Sequence, residues 1–120
     1  SCKKQVNCNT AHYAALRAGT LDKAGAEALL PDRATLGMVW RYLSCRGGEI
    51  RENPICLCRK IVRWADTALS LEQMLTCLDI FADVGLLETC RLHNDMIIRL
   101  LPTTQKADLS TSRTMQQLLK

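Results

Sequence analysis

LDIFADVGLLETCRLHNDMIIRLLP, residues 78–102, decides how this chain folds. Its first third continues an apolar stripe with helical spacing, and Gly85 supplies a left-handed stop after Val84. Beyond the glycine, LLETCRL and MIIRLLP are two strand-like runs around His93, Asn94 and Asp95, residues that tolerate positive φ in a tight turn. A helix, a stop and a hairpin are therefore expected in that order. The helix has a sharp beginning as well. Ser70 and Gln73 form an S-x-x-Q capping box, with Leu69 and Met74 placed as a hydrophobic staple. Leu71, Leu75, Leu78, Phe81 and Ala82 then share one face.

Two further helices precede it. Pro31 and Asp32 open DRATLGMVWRYLSCR, in which Leu36, Val39, Trp40 and Leu43 make a core stripe before Gly47 and Gly48. Asn53 is the N-cap of the next, with Pro54 at the first helical position, where a missing N–H costs no intrahelical bond. Cys58, Ile61, Val62 and Ala65 line its buried side. Arg59, Lys60 and Arg63 fall on the other side, within about 100° of arc at the helical period.

Three helices and a hairpin predict a mainly α domain with a small β-hairpin, of winged helix-turn-helix type, over residues 31–102. The competing architecture is a plain helical bundle, which would leave Met96, Ile97 and Ile98 without a sheet partner. Residues 1–30 are polar and alanine-rich, interrupted by Gly19 and Gly25, and read as a helical connector. Residues 103–120 read as a tail in which Ser110 or Ser112 can cap a short terminal helix.

Composition agrees with one such domain. The chain has 120 residues, 48% hydrophobic but only 4% aromatic, so its core must be built from aliphatic side chains, methionine and cysteine. No apolar run approaches the roughly 20 residues that span a bilayer, and SCKKQVNCNT lacks the apolar stretch of an export signal. A cytoplasmic location is expected. The seven cysteines are odd in number and irregular in spacing, which argues against a disulfide framework. Cys56 and Cys58 point to nearly opposite sides of a helix and cannot share an ion, whereas Cys8 and His12, with Cys2, could. Cysteines acting as small hydrophobes or surface thiols are the simpler expectation.

PDRATLGMVWRYL (31–43), LDIFADVGLLE (78–88) and KADLSTSRTMQ (106–116) resemble, in order and spacing, the C-terminal accessory domain of RecJ-type single-strand-specific DNA exonucleases of Gram-positive bacteria. The resemblance covers roughly residues 30–116 and departs at Met115, where an aromatic often follows the D-L-x-x-S element. It implies membership of an enzyme that digests single-stranded DNA from its 5′ end in recombination and repair. That family's catalytic core holds two divalent metals through Asp-His-His and further aspartates. Only the isolated His12 and His93 occur here, so no catalytic residue carries over, and metal ions are implied only for the absent core. Nor does the chain contain a phosphate-binding glycine loop, H-E-x-x-H, C-x-x-C or G-x-S-x-G. His93 is expected as a solvated turn residue.

Charge limits the DNA reading. The net charge of +4 permits phosphate binding, yet between Trp64 and Cys90 lie Asp66, Glu72, Asp79, Asp83 and Glu88 and no Lys or Arg. Glu72, Asp79 and Asp83 fall within about 60° of one another, opposite the leucines. Were that helix to enter a major groove, flanking phosphates would repel it. If nucleic acid is bound, Arg59, Lys60 and Arg63, assisted by Arg91 and Arg99 of the hairpin, are the better surface, and Trp64 can either stack a base or close the core edge. Two functions stand at this point: a non-catalytic appendage gripping single-stranded DNA through these cations, or a protein-interaction domain docking a basic partner, a repair protein or the parent enzyme's core, on Glu72, Asp79 and Asp83. A free-standing transcription regulator is a third.

Overall fold

The computed structural model describes residues 8–102 and 106–120. They form a mixed α/β domain of six α-helices and a three-stranded antiparallel sheet. In chain order these are α1 (Ala11–Ala18), α2 (Lys23–Leu29), α3 (Arg33–Arg46), β1 (Glu49–Glu52), α4 (Pro54–Ala65), α5 (Leu71–Asp83), β2 (Leu87–Leu92), β3 (Asp95–Leu100), a single 3-10 turn (Leu109–Thr111) and α6 (Arg113–Leu118).

The expected helix boundaries have their expected causes. Asp32 accepts from the Thr35 N–H at 2.8 Å and starts α3. Asn53 accepts from the Ile55 and Cys56 N–H groups and starts α4 behind Pro54. Both halves of the capping box are present at α5, with Gln73 N–H donating to Ser70 Oγ at 3.0 Å and Ser70 N–H to Gln73 Oε1. At its other end Gly85 adopts φ +80°, which lets the Leu86 N–H reach Phe81 O and the Gly85 N–H reach Ala82 O, the paired bonds of a Schellman stop.

The hairpin β2–β3 turns at His93, which takes φ +58°, and pairs Leu92 with Asp95 through Leu87 with Leu100. The sheet excludes the plain bundle. It also contains a strand that helix-and-hairpin reasoning leaves out: β1, paired to β3 with Ile50 opposite Ile98. Ile50, Leu87, Met96 and Ile98 face the core, where they meet Leu36, Val39, Leu43, Leu57, Ile61, Met74, Leu78 and Ile80 from α3, α4 and α5. Trp40 lies at the edge of that core, its ring against Phe81 at 5.3 Å between centroids.

Residues 11–29, expected as a connector, are α1 and α2 packed against α5. Leu16 of α1, Leu29 of α2 and Leu118 of α6 form a second, smaller core, flanked by Tyr13, Leu21 and Ala26. Ser112, not Ser110, caps the terminal helix, accepting from the Met115 N–H at 3.1 Å. Helix α1 and the start of α6 thus close over the same side of α5. No helix among the described residues is long and apolar enough to cross a membrane.

Candidate nucleic-acid interface

The surface charge of this domain is decided by where its carboxylates are used. Asp22, Asp32 and Asp108 each cap a helix or turn. On the outer face of the sheet Arg99 lies between Glu88 of β2, at 3.0 Å, and Glu49 of β1, at 3.4 Å, while Arg51 meets Asp95. Cross-strand pairs of this kind hold register more than they stabilise, since all are exposed.

The three carboxylates of α5 are used as clamps. Glu72, only 7% exposed, accepts from the Tyr13 N–H at 2.9 Å. Asp79 accepts from the Tyr13 hydroxyl at 2.8 Å and from Arg17 at 3.3 Å. Asp83 accepts from the Ser112 hydroxyl and the Thr114 N–H, at 2.8 and 2.9 Å. The face expected to dock a basic partner is therefore occupied by α1 and α6. A partner there would have to displace Tyr13, Arg17, Ser112 and Thr114. Groove insertion meets the same obstacle: α5 is covered on nearly every side, and only Asp83 of its residues is exposed. Coverage, rather than bare repulsion by carboxylates, is the obstacle the fold presents.

Their environments differ. Burial raises the Asp79 carboxyl above its ordinary range, outweighing the Tyr13 hydroxyl and the Arg17 guanidinium. Burial also opposes ionisation of Asp83, but the hydrogen bonds from Thr114 and Ser112, helped by Arg113, prevail and hold it below that range. Burial and the Asp79 charge together push the Tyr13 phenol upward, so it stays a donor.

Helix α4 presents the opposite sign. Leu57, Cys58, Ile61 and Val62 are buried, so the helical period leaves Cys56, Arg59, Lys60, Arg63 and Trp64 outside. Lys60 pairs with Glu52 of β1. Arg59 and Arg63 have no ion-pair partner among the described residues. They stand four residues apart, about 6 Å along the helix. The hairpin arginines do not join them. Arg99 belongs to the outer face of the sheet, and Arg91, opposite Met96, belongs to the other face, where it borders a cleft with Tyr13, Arg17 and Asp79. Sequence reasoning assembled five cations; the structure keeps three together and leaves two of those unpaired.

It also missed several residues. Tyr13 and Arg17, one turn apart on α1, gave no signal in an alanine-rich segment, and Ser112 was legible only as a cap. Arg41 of α3 is exposed and borders the end of α4 beside Ala65.

The two buried thiols are not activated. Cys58 and Cys77 are buried, and loss of solvation pushes both up to about 12, the reverse of an activated cysteine. Cys56 is exposed while Cys58 is buried, in line with their opposite directions on α4. Cys2, the third residue of the expected Cys8 and His12 grouping, lies outside the described residues. Among the described residues no three His, Cys, Asp or Glu side chains come together as a metal site. The chain matches no protein-family model, no curated protein and no solved structure.

Proposed function

We propose that this chain is a winged-helix accessory module of a single-strand-specific DNA exonuclease, and that it contacts DNA through α4 instead of α5. The nuclease chemistry and its divalent metals would belong to the parent enzyme's catalytic core. Support for the winged-helix reading comes from the order helix, strand, helix, helix, hairpin, with β1 pairing to the second strand of the hairpin. The resemblance of residues 31–43, 78–88 and 106–116 to the exonuclease accessory domain supports the parent.

One observation carries the choice of surface: the carboxylates of α5 are engaged by α1 and by Ser112 and Thr114, whereas Arg59 and Arg63 of α4 are exposed without acidic partners among the described residues. Phosphate contacts of this type release counterions, so binding weakens as salt rises.

Fluorescence anisotropy of a labelled single strand, titrated at several salt concentrations, tests this. Changing Arg59→Ala together with Arg63→Ala is expected to weaken binding and to flatten the log affinity against log salt slope by about 1.4, from roughly 0.7 per lost single-strand phosphate contact. An unchanged slope would remove α4 as the binding surface.

A further inference from the structure

Among the described residues the exposed large hydrophobic side chains are Leu30, Trp64, Leu92 and Leu119, and Trp64 is the aromatic one, with 49% of its surface in solvent. It lies in the last turn of α4, beyond the buried stripe that holds the helix to the core. Tyr42 of α3, itself buried, meets the indole edge-to-face at 5.5 Å between centroids and 71° between planes. That contact fixes the orientation of the ring from a second helix. The buried half of the indole closes the core edge, and the other half is left facing water between exposed cations.

The surroundings of Trp64 are cationic. Arg63 precedes it, Arg59 stands one turn earlier, and Arg41 of α3 adjoins Tyr42 and shares a cleft with Ala65, Thr67 and Ala68 at the end of α4. Arg41, like Arg59 and Arg63, has no ion-pair partner among the described residues. Of the nearby acids, Asp32 caps α3 through the Thr35 N–H, and Asp66 is the left-handed C-cap of α4, two residues beyond Trp64.

We propose that Trp64 is a base-stacking subsite: an unpaired nucleobase lies against its indole while Arg59 and Arg63 on one side and Arg41 on the other hold the adjoining phosphates. The inference rests on the proposed DNA contact of α4 and adds what that surface selects. A base inside a duplex has both faces covered by its neighbours and cannot reach the indole, so an aromatic platform between cations selects single strands with little regard to sequence.

The test uses the full chain and three labelled probes: an oligothymidylate, a sugar-phosphate oligomer of equal length without bases, and a blunt duplex. Oligothymidylate is expected to bind more tightly than the base-free oligomer by roughly 5- to 100-fold, the effect of one stacked base, and to quench tryptophan emission. Trp64→Ala is expected to abolish that ratio, Trp64→Phe to retain part of it, and Arg41→Ala to weaken both oligomers alike. Circular dichroism establishes that each variant is folded. If Trp64→Ala does not fold, the probe ratio in the unaltered chain and in Trp64→Phe still decides. Equal binding of the two oligomers overturns the stacking subsite, as does a ratio that survives Trp64→Ala. In that event, continued loss of both on changing Arg59 and Arg63 would leave the phosphate-binding reading intact. Salt-independent or absent binding of every probe overturns both.

Discussion

Asp79 and Asp83 sit one turn apart on α5 and respond to pH in opposite directions. The buried Asp79 carboxyl has a raised value in the folded chain, so it binds its proton at a pH where the unfolded chain has already released it. Its contribution to stability is therefore greatest in acid and falls as pH rises from the ordinary carboxylate range through the raised value. Asp83 is held low by Thr114 and Ser112. Its contribution is complete above the ordinary carboxylate range and is lost as pH falls toward the lowered value. Urea midpoints measured across the acid range should separate the two. Asp79→Asn is expected to flatten the decline on the rising side, because Asn retains an acceptor for the Tyr13 hydroxyl without a buried charge. Asp83→Ala strands the Thr114 N–H and the Ser112 hydroxyl and should cost about 1–3 kcal/mol near neutrality. Equal and parallel pH profiles for both variants would contradict these assignments.

At the scale of elements, Asn53 links two of them. Its side-chain carbonyl caps α4, and its amide donates to Asn94 O in the hairpin turn at 3.2 Å. Replacing Asn53 by Ala removes the cap and the tie to the hairpin together. The expected cost is about 1–2 kcal/mol, somewhat more than Asp32→Ala, whose side chain caps α3 alone. Chemical denaturation of the two variants measures the difference. The same elements mark how far sequence reasoning reaches. Caps are local, so Asn53, Ser70 and Gly85 placed their boundaries from a few neighbouring residues. The strand β1 is four residues, Glu-Ile-Arg-Glu, with only Ile50 buried, and it exists because Met96–Arg99 offers a ladder from the far end of the chain. Nothing in its own composition announces it. The site divides likewise. The helical period places Arg59, Lys60 and Arg63 on one face of α4 with no knowledge of tertiary structure. Periodicity also put Glu72, Asp79 and Asp83 opposite the leucines, but it could not say that residues about 60 positions earlier would cover Glu72 and Asp79, or residues about 30 positions later Asp83. A polar face on a helical wheel is a face without hydrophobic residues, which is not the same as a face in water.

For the molecule as a whole, the consequence is that α1, α2 and α6 depend on one another. Leu16 and Leu29 from the beginning of the chain and Leu118 from its end bury one another, and the Gln117 side chain donates to Leu16 O across the same junction. This small core is joined to the large one across α5 by hydrogen bonds to its carboxylates, with Met115 of α6 and the neighbouring Leu109 also packed against the large core. Two separately packed clusters are expected to lose stability unequally. Leu29 is fully buried, so Leu29→Ala removes apolar contacts and leaves a cavity, an effect of about 2–5 kcal/mol at a core position. Because Leu118 shares that cluster, the loss should appear as faster amide hydrogen exchange in α6 as well as in α1 and α2, with β3 and the centre of α5 little changed. Leu57→Ala, placed in the large core beneath α4, should instead raise exchange throughout. If Leu29→Ala leaves α6 as protected as before, the ends are independent additions to the domain; accelerated exchange confined to α1, α2 and α6 makes them a single cap over α5.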